Sequence, residues 1–188
     1  MQLSLICHAS TRALRQAAFP ADEPIDAIGE AKAHALAGWL PAAAQIWRST
    51  ALRAQQTATA LALDATPDRA LDDCDYGRWA GRRLAELQEA EPAAIGAWLQ
   101  DPDALPHGGE SIAAMRQRVS RWMNGLDKMA DHVIVVTHAA VIRLVILEAL
   151  DAKSESFWRI DITPLSLTQL RFSQHRWTLV SSGGAMAV

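Results

Sequence analysis

Apolar positions follow two rhythms along this chain. Residues 2–7, QLSLIC, and 132–137, HVIVVT, are runs of strand-forming residues, and each stops at a histidine followed by small side chains, His8-Ala9-Ser10 and His138-Ala139-Ala140. Between them the rhythm is helical. Residues 28–40 predict a helix with Ala31, Ala35 and Trp39 on one stripe, ended by Pro41. Residues 44–50, AQIWRST, predict a strand that runs into an alanine-rich helix over 52–63, stopping before Pro67. Residues 71–81, LDDCDYGRWAG, hold paired acids and glycines and predict a shaped loop. Two helices are expected over 82–100, the second starting at Pro92, then a loop over 101–111 and a helix over 112–129. After the second histidine-ended strand come an apolar helix over 139–150 and two antiparallel strands within 166–172 and 177–182.

Strands alternating with helices imply right-handed crossovers and a three-layer α/β/α architecture with a mostly parallel central sheet, whose ligands bind beyond the carboxyl ends of the strands. His8 and His138 both fall at that edge and are expected to face one another there. Residues 82–105 are expected to form a small cap on one domain spanning 1–188.

Composition narrows the picture. With 188 residues, half of them hydrophobic, the chain suits one domain with one substantial core. The net charge is −3 and the lysines and arginines form no block, so nucleic acid is not an expected partner. No apolar stretch reaches bilayer length, and LSLIC is too short, and too soon followed by His8 and Arg12, to read as a signal peptide. The expectation is a cytoplasmic protein with no membrane partner and with Cys7 and Cys74 reduced. The pattern sets no oligomeric state.

A histidine at a strand end, followed by a helix whose first turn offers unpaired N–H groups, is placed to meet an anion. Two such histidines can handle a phosphate, one as nucleophile and the other as hydrogen-bond donor to the phosphoryl oxygens. Alone, either would read as a satisfied strand-end histidine, Arg53 as a surface cation and Asp73 as a solvated turn residue. They do not stand alone. LICHAST carries His8 and Thr11; STALRAQQT carries Ser49, Arg53, Gln56 and Thr57; DCDYGRWAG carries Asp73; Gly108-Gly109-Glu110-Ser111 follows; and VTHAAVIR carries His138 and Arg143.

In this order, over positions 3 to 143, the blocks resemble the histidine phosphatase superfamily, also called phosphoglycerate mutase-like. The resemblance implies that fold, and hydrolysis of phosphate monoesters through a phospho-histidine. It implies His8 as nucleophile, Arg53 and His138 as phosphate ligands, and Asp73 as proton donor with Asp75 as the alternative. Thr11, Ser49, Glu110, Ser111 and Ala139 are implied at the substrate, a small phosphorylated metabolite or inorganic oxyanion, with no metal and no organic cofactor. Mutase activity is disfavoured by the shortness of the segment before Gly108. The same comparison exposes departures: Cys7 stands where an arginine is expected beside the nucleophile, Ala9, Ala139 and Ala140 replace glycines, and Leu14 replaces an asparagine. Loss of one preorganised donor commonly costs about 10²–10³ in rate, so impaired catalysis is expected. Arg12 is the nearest substitute cation by sequence, with Arg15 and His107 behind it. Two further readings stand beside this one: an inactive relative that binds phosphate ligands or partners, and a soft-metal cluster of Cys7 and Cys74 with their neighbours, set against the plainer expectation that both thiols are buried fillers.

Overall fold

The computed structural model describes residues 1–43, 45–126 and 131–185. Strand β1 (Gln2–Cys7) is followed by a short helix α1 (Arg12–Arg15), helix α2 (Ala27–Ala35), strand β2 (Gln45–Arg48), helix α3 (Leu52–Ala60) and the brief strand β3 (Thr66–Pro67). Two single-turn 3₁₀ segments lead to helices α4 (Leu84–Ala90) and α5 (Pro92–Gln100), then α6 (Ile112–Gly125), β4 (His132–Thr137), α7 (Ala139–Ala149), a 3₁₀ stretch Ser154–Arg159, and strands β5 (Ser166–Ser173) and β6 (Arg176–Ala185).

The six strands form one sheet in the order β3-β2-β4-β1-β5-β6. β1 to β4 pair in parallel, and β5 and β6 close the sheet antiparallel, as the sequence pattern predicts. Alternation on β1 explains the two cores. Leu3, Leu5 and Cys7 point to one face, against Met115, Val119 and Met123 of α6 and Val141, Leu144 and Val145 of α7, whereas Ile6 joins Ala33 of α2 and Ala54 and Ala58 of α3 on the other. Burying each large side chain stabilises the fold by about 1.5–3 kcal/mol. α7 buries seven of its eleven residues, which is why its sequence AAVIRLVILEA is apolar nearly all round.

One expectation needs correction. The helix predicted over 28–40 spans Ala27–Ala35, and its buried stripe is Gly29, Ala33 and Leu36, while Trp39 is 44 % exposed. Asp26 sets this register by accepting the Gly29 N–H, and a Cβ on Gly29 would lie 2.8 Å from the Ser10 backbone, so only glycine allows that approach. Gly38, at φ +77°, turns the chain before Pro41 is reached. The helix predicted over 112–129 is described to Gly125, and positions 127–129 of that expectation lie outside the described residues. Pro92 does open α5, at the position where its missing N–H costs nothing.

Candidate active site

β1 and β4 lie side by side in register, Cys7 opposite Thr137, so the residues that follow them, His8 and His138, emerge together at the carboxyl edge. Their ring centroids are 5.1 Å apart, with the rings at 61°. His8 Nδ1 lies 2.8 Å from the Ala9 carbonyl. A carbonyl only accepts, so Nδ1 carries the proton and Nε2 keeps its lone pair. Burial, then the Arg53 charge, lowers the His8 pKa to about 4.

His138 is held from the other side. The Ser49 hydroxyl donates to Asp72 Oδ1 at 2.7 Å and sits 2.8 Å from His138 Nε2. With its single proton spent on the carboxylate, Ser49 Oγ accepts from Nε2–H. That leaves His138 Nδ1 facing Asp73 Oδ2 at 3.5 Å. Burial, then the Arg53 charge, pushes the His138 pKa well below its ordinary value, so the ring is neutral, Nδ1 carries no proton, and this contact is not an ion pair.

Arg53, 3 % exposed on α3, gives Nη2 to Asp73 Oδ2 at 2.8 Å and Nη1 to the Ala21 carbonyl, while its buried Nε has no partner among the described residues. Thr57, one turn on, donates to the Arg53 carbonyl and accepts the Ala9 N–H, tying α3 to the turn after β1. Asp73 therefore meets Arg53 and His138 together, whereas Asp75, the alternative donor, is exposed and caps Gly77 N–H.

The loop bearing Asp73 is clamped by backbone. Glu110 N–H donates to the Asp75 carbonyl at 2.7 Å, and Arg78 N–H to that of His107 at 3.0 Å. A Cβ on Gly109 would stand 1.9 Å from the Asp75 oxygen, and one on Gly77 2.2 Å from the His107 oxygen. Arg118 completes the clamp, gripping both Glu110 oxygens and the carbonyls of Ala70 and Asp72.

A cleft of about 140 Å³ opens in front of His8 and Asp73, walled by Thr11, Leu14, Pro20, Tyr76, Ala139, Arg143, Phe157 and Trp158, with Glu23 at its side. Of the residues expected at a substrate, Thr11 and Ala139 line it, and Ser49 lies behind His138. Glu110 and Ser111 do not join them: they line a neighbouring hollow, where Ser111 caps α6. Ala9, Ala139 and Ala140 take ordinary negative φ, so their methyl groups cause no backbone strain. Arg12 and Arg15 are exposed, and His107 is buried against Trp79, so none of the three reaches the cleft. The cation that does line it is Arg143. Tyr76 lies inside the DCDYGRWAG block, whereas Asp72 and Glu23 lie in no matched block and escaped sequence reasoning; Trp158 comes from a segment beyond the last motif.

Cys7 lies on the α6–α7 face of the sheet, and burial, with the Asp73 charge, raises its pKa to about 12; Cys74 is raised as well, for the same first reason. Both are free, buried thiols. Among the described residues no group of three or more His, Cys, Asp or Glu side chains is placed to hold a metal ion.

Paired imidazoles at the edge of this α/β sheet define a phosphoglycerate mutase-like protein. The chain belongs to the Histidine phosphatase superfamily (branch 1), whose family model matches residues 3–183. It is 32 % identical over 185 residues to the bifunctional protein Rv2228c of Mycobacterium tuberculosis, covering 91 % of this chain and 50 % of that one. The chain thus spans about half the length of the curated relatives it matches first. It is 25 % identical over 132 residues to phosphoserine phosphatase 1 of Hydrogenobacter thermophilus, covering 69 % of this chain and 63 % of that one. The alpha-ribazole phosphatase of Shigella flexneri superposes with a TM-score of 0.87 at 25 % identity, covering 100 % of this chain and 99 % of that one. No helix among the described residues is long and apolar enough to cross a membrane.

Proposed function

We propose that the protein is a phosphomonoesterase that cleaves a small phosphorylated metabolite through a phospho-histidine on His8. One observation carries this reading: Nδ1–H is committed to the Ala9 carbonyl, and a pKa lowered to about 4 leaves the Nε2 lone pair free at neutral pH on the wall of the cleft. In the first step that lone pair attacks phosphorus and the bond to the alcohol oxygen breaks, with a proton passing from the Asp73 carboxyl to the departing oxygen. Water then attacks the phospho-histidine, Asp73 takes the proton back, and phosphate leaves as His8 Nε2 is regenerated.

Arg53 Nη2 and His138 Nδ1 both face Asp73 Oδ2, and a phosphoryl oxygen taking that position would free the carboxyl for the leaving alcohol. Neutral His138 holds its one proton on Nε2, so donating from Nδ1 requires a second, which a bound dianion favours. Thr11 and Ala139 serve the substrate directly, Ser49 orients His138, Glu110 acts through the loop it clamps, and Ser111 acts by capping α6, the helix that carries Arg118. The names of the phosphatase relatives support the reaction class. The test is a panel of phosphorylated metabolites with p-nitrophenyl phosphate, run on wild type and His8→Ala in parallel. Turnover by wild type and none by His8→Ala is expected; equal turnover by both would overturn the reading.

A second reading is binding without catalysis: Cys7, a buried and protonated thiol, stands beside His8 where the family resemblance implies a cation. On that reading, wild type binds vanadate yet leaves every phosphate ester intact.

A further inference from the structure

Two charged groups on the cleft take no part in the steps above. Glu23 accepts the Ala21 N–H on Oε2 at 2.8 Å, but its Oε1 is buried and has no partner among the described residues. Arg143 gives Nε to the Ile160 carbonyl at 2.7 Å and lies over the rings of Phe157 and Trp158, 5.3 and 6.0 Å from their centroids. Its two terminal nitrogens make no hydrogen bond among the described residues. The anchor and the rings fix the guanidinium while leaving its donor edge unused. Glu23 and Arg143 line the same cleft as His8 and Asp73, and they do not pair with each other. The rest of the wall, Leu14, Ala18, Pro20 and Phe157, offers no competing charge.

A buried carboxylate oxygen without a donor is costly, and a preset guanidinium edge suits a carboxylate. We infer that Glu23 and Arg143 select the alcohol half of the substrate: an ammonium meets Glu23 Oε1 and a carboxylate meets Arg143, so the ester cleaved is that of a small zwitterionic alcohol, an O-phospho-amino acid. This rests on the phosphomonoesterase reading. Both groups are specificity determinants, and the chemistry stays with His8 and Asp73.

The test compares kcat/KM for four esters of similar intrinsic reactivity: O-phospho-L-serine, phosphoethanolamine without the carboxylate, phosphoglycolate without the ammonium, and phenethyl phosphate with an apolar group in place of both. O-phospho-L-serine is expected to exceed each of the others by about tenfold or more, the value of a charge-assisted hydrogen bond. Glu23→Gln should collapse its advantage over phosphoglycolate, and Arg143→Gln its advantage over phosphoethanolamine. Because each result is a ratio within one protein, partial misfolding cancels. Preference for phenethyl phosphate, or ratios unmoved by either variant, would overturn the inference. Should wild type fail to hydrolyse even p-nitrophenyl phosphate, the catalytic reading falls by itself, and calorimetric titration decides this one: O-phospho-L-serine binding weakened by both variants supports it, and equal binding by all three proteins refutes it.

Discussion

Cys7 is the residue at which chemistry and packing pull apart. Its side chain starts on the strand face shared with Leu71, Met115 and Val141, and its thiol stays protonated because burial raises its pKa to about 12. Cys7→Arg would place a guanidinium near Asp73, but only the far end of that side chain could leave the apolar face. We expect kcat/KM for p-nitrophenyl phosphate to rise, by at most about 10²-fold, while the melting temperature falls; the gain should vanish in the Cys7→Arg, His8→Ala double variant. An unchanged rate in folded protein would show that a cation at this position does not limit turnover. His8 and His138 were legible because each ends an apolar run, a position no packing rule demands. Glu23 and Asp72 were not, because their importance lies in which neighbour they meet. A sequence does not write that Asp72 will take the Ser49 proton.

The loop that carries Asp73 owes its position to another loop. Backbone meets backbone between Asp75, Gly77 and residues 107–109, and the glycines there are required by contact distances shorter than any Cβ tolerates. Gly109→Ala must push the Asp75 carbonyl aside, and with it Asp73. A displacement of about 1 Å at reacting groups can cost on the order of 10²-fold in rate, so a loss of that size in kcat is expected, with far-UV circular dichroism retained. Wild-type kcat would separate the two loops functionally. Element identity was mostly readable in the chain, and register was less so: periodicity points the stripe at Ala31, Ala35 and Trp39, yet Asp26 and the close approach of Ser10 to Gly29 rotate the helix onto Gly29 and Ala33. Periodicity reports that a face exists; caps and backbone contacts choose which one it is.

Across the molecule, buried titratable groups set a window of stability. His8, His138 and His107 all have pKa values below the ordinary 6.5, chiefly through burial. Below pH 6.5 an unfolded chain takes up protons that the folded one refuses, at His8 until about pH 4, so stability is full above 6.5 and drains away as the pH falls. The thiols act in the opposite sense. Cys7 and Cys74 lie above the ordinary 9.0, so an unfolded chain sheds protons past that point while the folded one keeps them, and stability is lost as the pH rises. Urea titrations should show a plateau in unfolding free energy between about pH 6.5 and 9.0 with a decline on each side; a value that still climbs from pH 6.5 down to 5 would contradict the assignment of neutral imidazoles. The sheet order adds a matter of timing. β1, whose end carries His8, is flanked by β4 and β5, with Gln2 opposite His132 and Leu5 opposite Thr168. At synthesis rates of about 5–20 residues per second, the strand leaves the ribosome on the order of ten seconds before either neighbour exists. Throughout that interval LSLI has two bare edges and an apolar surface, which makes the segment that ends at His8 the one that a nascent-chain chaperone would have most reason to hold.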